Sequence, residues 1–153
     1  MRRLPAVLAV MASLAGCGGA KTPGSPSTTP SGVSPVGTWS GAISDPVSGE
    51  GTAQLSLSDN GRGSLTGTWS AAFLNGDRFS GPAVASLVQT NTYGITLAVE
   101  PPPPCAGGSG PGESALLGFT LVNVVVTADR LTAIAGRLSC SGPGFGTVTL
   151  SRQ

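Results

Sequence analysis

The sequence predicts an all-β protein, an antiparallel up-and-down meander of about eight strands that forms a small barrel or a curled sandwich. Apolar residues recur with a period of two along the body of the chain, which is the pattern of strands with one buried face. Turn residues interrupt this pattern at short intervals, which indicates hairpins in series. The 24 glycines and 13 prolines disfavour helices.

Regular alternation marks the strands individually. Leu55 and Leu57 alternate with Ser56 and Ser58, and Asp59-Asn60-Gly61 then supplies the positive φ values of a tight turn. The long break Pro101-Gly112 (PPPPCAGGSGPG) is predicted to be a loop. With the remaining turns, these breaks predict strands at residues 36–43, 51–58, 63–73, 79–88, 92–99, 115–126, 130–139 and 145–151.

The sixth predicted strand, Ala115–Val126 (ALLGFTLVNVVV), is apolar on both faces. Its 12 residues are too few for a membrane-spanning helix, which needs about 20. The pattern therefore predicts a central strand whose outer face is covered. Asn123, in its middle, is expected to be a hydrogen-bonded polar group of the core rather than a ligand contact.

The N-terminus has the pattern of an export signal. Arg2 and Arg3 precede the mostly apolar stretch Leu4–Leu14, which is too short to span a bilayer, so residues 1–16 are predicted to be a signal peptide. The sequence Leu14-Ala15-Gly16-Cys17 resembles the lipobox of bacterial lipoproteins. The resemblance implies cleavage before Cys17 and attachment of diacylglycerol to its sulfur, with acyl chains such as palmitate as the membrane anchor.

The lipobox resemblance also implies a location and a domain organisation. The protein would be exported and anchored to the cell envelope by lipid, with the bilayer as a partner through Cys17. Gly18 and Gly19, rather than Asp, follow this cysteine, which favours the outer membrane if the host is diderm. Residues 17–35 are rich in Gly, Ser, Thr and Pro and are predicted to be a disordered tether, whereas residues 36–153 form the β domain.

Two cysteines remain in the β domain. In an exported domain, Cys105 and Cys140 are predicted to form a disulfide. Closing a loop of this length contributes about 3.5–4 kcal/mol in the chain-entropy description. The rival interpretation, a redox-active pair, lacks the C-x-x-C spacing that lowers a thiol pKa.

Composition narrows the classes of function. Charged residues are 10% of the chain and the net charge is +1, which argues against nucleic acid as a partner. The chain has no histidine, which excludes Ser-His-Asp, Cys-His and His-based metal sites. We predict no catalytic residues, no metal and no cofactor; a hydrolase in which Glu50, Glu100 and Glu113 converge stays as a weaker alternative.

The tetrapeptide Gly-Thr-Trp-Ser occurs twice and contains both tryptophans, Trp39 and Trp69. These side chains, with Phe73 and Tyr93, are the candidates for a ligand cavity or for the core. Lipocalins have a similar Gly-x-Trp on their first strand, and this resemblance implies that Trp39 closes the floor of a barrel.

Gly37-Thr38-Trp39 and Gly63–Thr68 (GSLTGT) together resemble two strands of the avidin family, with Trp69 where that family has a biotin-contacting tyrosine. Gly41 and Ala71 stand where the family has the Asn and Ser that bind biotin. The resemblance therefore implies a calycin-like barrel without the biotin site.

These patterns lead to three hypotheses about function. The first is a non-enzymatic envelope lipoprotein whose β domain has a binding or structural role, with an envelope protein as partner. The second is a calycin-like carrier of a small hydrophobic ligand in the barrel interior. The third is the carboxylate hydrolase.

Overall fold

The computed structural model describes residues 33–89, 92–103, 115–140 and 142–153. Eight strands and no helix lie within these ranges. Each strand begins and ends within two residues of its predicted position. The strands are β1 (Gly37–Asp45), β2 (Gly49–Asp59), β3 (Ser64–Phe73), β4 (Arg78–Gln89), β5 (Thr92–Ala98), β6 (Leu116–Val126), β7 (Arg130–Ser139) and β8 (Gly144–Arg152).

All eight strands form one closed antiparallel barrel in sequence order. Each strand pairs with its neighbours in the chain, and β1 also pairs with β8, from Trp39 opposite Arg152 to Ile43 opposite Val148. This pairing confirms the predicted all-β meander and decides in favour of the barrel over the curled sandwich. Within the described ranges, no helix is long and apolar enough to cross a membrane.

The order of the strands defines two ends. At the N-terminal end, β1 begins and β8 ends, beside the turns that follow β2, β4 and β6. At the far end lie the turns that follow β1, β3 and β7, with the long connection between β5 and β6. The segment that leads from Cys17 to the barrel therefore joins it at the N-terminal end.

Side chains fill the described interior. Alternate residues of every strand point inward, as the period of two predicts. Trp69 packs edge-on against Phe119 with ring centroids 5.7 Å apart, and Phe73 packs in the same way against Phe79 at 5.9 Å. The largest fully buried side chains of the strands are Trp39, Phe119, Ile43, Ile95, Leu116, Leu121, Leu131 and Leu150.

Trp39 closes the N-terminal end of the barrel. It is fully buried, and its Nε1–H donates a hydrogen bond to the carbonyl of Pro35 at 2.8 Å. The Arg152 guanidinium lies over the indole ring, 4.2 Å from its centroid, and donates to the carbonyl of Val36 at 2.7 Å and to that of Ala128 at 2.8 Å. The last strand thus holds the segment before the first strand onto the barrel floor.

Several strand glycines allow neighbouring strands to approach more closely than a side chain permits. At Gly67, an added Cβ would lie 1.7 Å from the carbonyl oxygen of Ser56. Because strands of a narrow barrel must coil strongly, such positions admit only glycine. A Cβ would meet a carbonyl oxygen of the adjacent strand within 2.6 Å at Gly41, Gly51, Gly67, Gly81, Gly118 and Gly146.

Two expectations for the sixth strand were wrong. The outer face of β6 is not covered, since Val122 and Val125 are exposed. Asn123 is also exposed and lies in a bulge with φ +53°, where the register against β7 shifts between Val122 and Val125. Asn adopts positive φ more readily than most residues, so this asparagine serves the bulge rather than the core.

Replacing Gly67 with alanine tests the close approach of β2 and β3. We expect Gly67→Ala to lower the free energy of unfolding by about 3 kcal/mol or more, because the backbone of one strand must shift. Gly94→Ala is the matched control, since a Cβ there would meet only the Val88 side chain, at 3.1 Å. Urea denaturation followed by circular dichroism measures both, and equal losses would contradict the argument.

Candidate functional site

Both tryptophans are buried beside the same core residue. They lie on either side of Leu55, which pairs with Trp39 across β1 and β2 and with Trp69 across β2 and β3. Trp69 is buried, and its Nε1–H donates to the carbonyl of Ala98 at 2.7 Å. Each indole is thus tied to a different backbone carbonyl, as a packed core residue is.

The other two candidate cavity residues also belong to the core. Phe73 is buried near the far end of the barrel. Tyr93 is half-buried and packs against the core cluster near the N-terminal end, between Leu87 and Val124 of the adjacent strands. The four candidate residues therefore all belong to the packed interior, and Trp69 also lines two depressions on the outer surface.

The cysteine predictions fall largely outside the described residues. Cys17 and Cys105 lie in segments that the structure does not describe. Cys140 follows β7 at the far end, where its backbone N–H donates to the carbonyl of Ala115 at 3.2 Å. The far end is also where the connection that contains Cys105 joins the barrel. Because Cys17 and Cys105 lie outside the described residues, the lipidation and the disulfide stay predictions.

Charge is confined to the ends of the barrel and to one buried pair. Of the described charged side chains, none projects outward from the middle of a strand. Those at the ends or in the turns are Glu50, Asp59, Arg62, Asp77, Arg78, Glu100, Asp129, Arg130 and Arg152. Among the described residues, no three Cys, Asp or Glu side chains are grouped as metal ligands would be.

Hydroxyl and amide side chains cover the outer surface of β2, β3 and the start of β4. They lie in register: Gln54 pairs with Ser70, and Ser70 with Ser80. We call this surface the hydroxyl face; its residues are Thr52, Gln54, Ser56, Thr68, Ser70 and Ser80. Within the described chain, the side chains of Gln54, Thr68 and Ser70 form no hydrogen bond with the protein, so their donors and acceptors are available to water or to a ligand.

Three adjoining depressions lie on the hydroxyl face. Their volumes are about 380, 180 and 360 Å³. The first two share Gln54 and Ser70, the first and third share Ser80, and Thr68 joins the second to the third. Arg78 and Glu100 lie at the far-end margin of this surface. The candidate binding surface therefore lies on the outside of the barrel, where hydroxyl and amide groups adjoin apolar residues such as Trp69 and Pro82.

A buried ion pair connects two elements at the far end. The Arg137 guanidinium donates to Oδ2 of Asp45, and both side chains are excluded from solvent. The same carboxylate oxygen accepts from the backbone N–H of Ser48 at 2.8 Å and of Val47 at 3.3 Å, which caps the turn after β1. The pair thus fixes the β1–β2 turn against β7, 92 residues away in sequence.

Some of these features follow from local sequence patterns and others do not. Aspartates beside turns commonly cap backbone amides, and Asp45 and Asp59 do so here: Asp45 accepts from the N–H of Ser48 at 2.8 Å and Asp59 from that of Gly61 at 2.7 Å. The hydroxyl face was visible as serine and threonine at alternate positions of β2 and β3. The partners of Asp45 and Trp39, namely Arg137 and Arg152, were missed because no local pattern identifies such distant pairs.

The Asp45–Arg137 pair is testable by a double-mutant cycle. We expect Arg137→Met to lower the free energy of unfolding by about 3–5 kcal/mol, because it leaves a buried carboxylate without its counter-charge. Adding Asp45→Asn removes that charge and keeps an oxygen for the Ser48 N–H, so the double variant should be more stable than Arg137→Met alone. Urea denaturation of the four proteins gives the comparison, and additive losses would contradict it.

Comparison with known proteins supports the fold. No protein-family model and no curated protein matches the chain. A de novo designed fluorescence-activating β-barrel is similar in structure, with a TM-score of 0.51 and 14% sequence identity over 77% of this chain and 93% of the designed one. The protein thus has an eight-stranded antiparallel β-barrel fold.

Proposed function

We propose that this protein is a bacterial envelope lipoprotein whose barrel is a non-enzymatic binding module. In this proposal, residues 1–16 are removed and Cys17 is acylated. The barrel is then held at the membrane, the outer membrane in a diderm host, and it binds an uncharged partner through the hydroxyl face. The position of the depressions on the outside of a barrel with a packed interior is the observation that carries the binding part.

Packing inside the barrel favours external over internal binding. A carrier of a hydrophobic ligand needs an apolar cavity of a few hundred Å³. The described inward positions are instead occupied by the two indoles and by Phe119 and the aliphatic side chains around it. Trp39 and Arg152 also close the N-terminal end, so a ligand would have to displace packed side chains to enter there.

The chemistry of the hydroxyl face favours an uncharged partner with hydrogen-bonding groups. Its side chains offer donors and acceptors without a formal charge, and they are not engaged within the protein. A charged ligand would find no compensating charge on this surface, except from Arg78 and Glu100 at its margin. Because the depressions adjoin, the surface suits an extended ligand better than a compact one.

A non-enzymatic role is supported by the distribution of the acids. Asp45 is held by Arg137, whereas Glu50 and Glu100 are exposed on different strand ends. A carboxylate hydrolase needs two carboxyl groups on either side of one bond, within about 10 Å. Glu113, the third residue of that alternative, lies outside the described residues.

The proposal retains the Cys105–Cys140 disulfide. A bridge at Cys140 would fasten the β5–β6 connection at the far end, opposite the end where the tether arrives. It would add to the stability of a small domain rich in glycine.

Acylation is tested on protein extracted from membranes. We expect the mature chain to begin at Cys17 and to have a mass increased by diacylglycerol, because the lipobox is in register with the apolar segment before it. The control variant Cys17→Ser should lack the added mass. Mass spectrometry makes the measurement, and a mature N-terminus at another residue would contradict the proposal.

Binding through the hydroxyl face is tested by photo-crosslinking in cells. A photoreactive residue at position 54 should form an adduct, whereas one at Thr149, on the outer surface of β8 between the buried Val148 and Leu150, should not. Ser70→Leu should reduce the adduct at position 54 about tenfold or more, because a bulky apolar side chain fills the shared depression and removes a hydroxyl. Gels and mass spectrometry detect the adduct; equal adducts at both positions would contradict the assignment.

A further inference from the structure

We infer that the barrel lies on its side on the lipid bilayer, in contact through an apolar face on β6, β7, the start of β8 and the end of β4. This inference rests on the proposed acylation of Cys17 and names a second contact with the membrane. The apolar face comprises Val88, Val122, Val125, Ile134, Leu138 and Phe145.

These side chains lie next to one another on the outside of the barrel. Val122 pairs directly with Ile134 across β6 and β7. The Phe145 ring covers Gly136, which lies between Ile134 and Leu138 on β7. At the other edge, Val88 extends over Gly94 of β5, the strand beside β6. The six residues thus lie on one side of the barrel from the N-terminal end to the far end, with the hydroxyl groups of Thr120, Thr132 and Thr147 between them.

The apolar face is exposed and uncharged. Phe145 is 71% exposed, Val88 61% and Val125 59%. Single exposed apolar residues are normal on soluble domains, but a group of six on one side of the domain is typical of a contact with a membrane or a protein. No charged side chain among the described residues projects from the middle of these strands, so transfer into an apolar phase requires no desolvation of charge.

The tether favours the bilayer as the phase that covers this face. It joins the barrel at the N-terminal end, and a flexible chain of its length has an end-to-end distance of about 20–25 Å. The barrel of an acylated chain is therefore on average within about 25 Å of the lipid. Binding becomes intramolecular, so a surface too weak to recruit a free protein to vesicles is sufficient.

Charge plays little part in this contact. The described residues carry six carboxylates and five arginines, all at the barrel ends or in the buried pair. Anionic lipid would neither attract nor repel the barrel strongly. We therefore expect the contact to form on neutral phosphatidylcholine and to persist at high ionic strength.

The two faces are compatible with simultaneous use. The hydroxyl face is centred on β2 and β3, whereas the apolar face is centred on β6 and β7, across the closed barrel. A barrel that rests on β6 and β7 directs Gln54 and Ser70 away from the bilayer. The contact thus exposes the proposed binding surface to the partner.

Quenching by brominated lipid tests the contact. The full acylated chain is reconstituted into phosphatidylcholine vesicles with or without bromine on the acyl chains. Phe145→Trp and Val125→Trp place a probe near each end of the apolar face, and Gln54→Trp is the control on the hydroxyl face. Trp39 and Trp69 are buried and add a constant background.

We expect bromine to reduce the emission of both apolar-face probes about twofold, since such a face is buried about 5–10 Å into the bilayer boundary. The Gln54→Trp probe should not change. Quenching at Val125→Trp alone would mean that the barrel stands on its N-terminal end. Equal quenching at all three positions would mean that no face is preferred. Either result would overturn the inference. A blue shift that follows protein density and not bromine would overturn it in favour of a second copy.

Introducing a charge on the apolar face provides a second test of the membrane contact. In the Val125→Trp protein, Ile134→Lys should abolish quenching, whereas Ser56→Lys on the hydroxyl face should leave it unchanged; unchanged quenching in both would overturn the inference. Circular dichroism identifies any variant that does not fold, and Val122→Lys then replaces Ile134→Lys.

The failure of this inference can be distinguished from the failure of the proposed function. If the chain is not acylated and does not sediment with vesicles, the proposed function fails. If the chain is acylated and sediments but the probes are unquenched, only the side-on contact with the bilayer fails.

Discussion

The pairing of β1 with β8 is the constraint on which the rest of the structure depends. It runs from Trp39 opposite Arg152 to Ile43 opposite Val148, and it joins the two ends of the meander. An open sheet of eight strands would leave two edges and an ambiguous inner face. Closure removes both edges and gives every strand one inward and one outward set of side chains. It also places Arg152 over Trp39, which fixes the segment that leads to the predicted membrane anchor.

Closure on a small radius has consequences for composition. The interior must contain two indoles, so alanines such as Ala85 and Ala135 occupy other inward positions and the total volume fits. Strands must coil at the points where Gly67 and Gly146 approach the next backbone. The high glycine content, which on the sequence alone indicated turns, therefore also serves the strand interiors.

Two sides of the outer surface of the barrel differ in polarity, and neither carries charge in the middle of its described strands. Because the described charges lie at the ends or in the Asp45–Arg137 pair, the sides of the barrel differ only in polarity. Hydroxyl groups predominate on β2 and β3, and exposed apolar side chains are grouped on β6, β7 and the start of β8. An uncharged polar surface and an uncharged apolar surface on opposite sides suit a domain that is held at an interface by a lipid rather than by electrostatic attraction.

Sequence by itself determined the strands, because the period of two and the turn residues are local signals. It also determined the classes of chemistry that the chain lacks, because absence of histidine is a property of composition. The tertiary structure alone decided that the meander closes, that Asp45 meets Arg137 and Trp39 meets Arg152, and that Asn123 occupies a bulge on the outside. These outcomes depend on register between strands distant in sequence, and one residue of slippage in any pairing would exchange its inward and outward side chains.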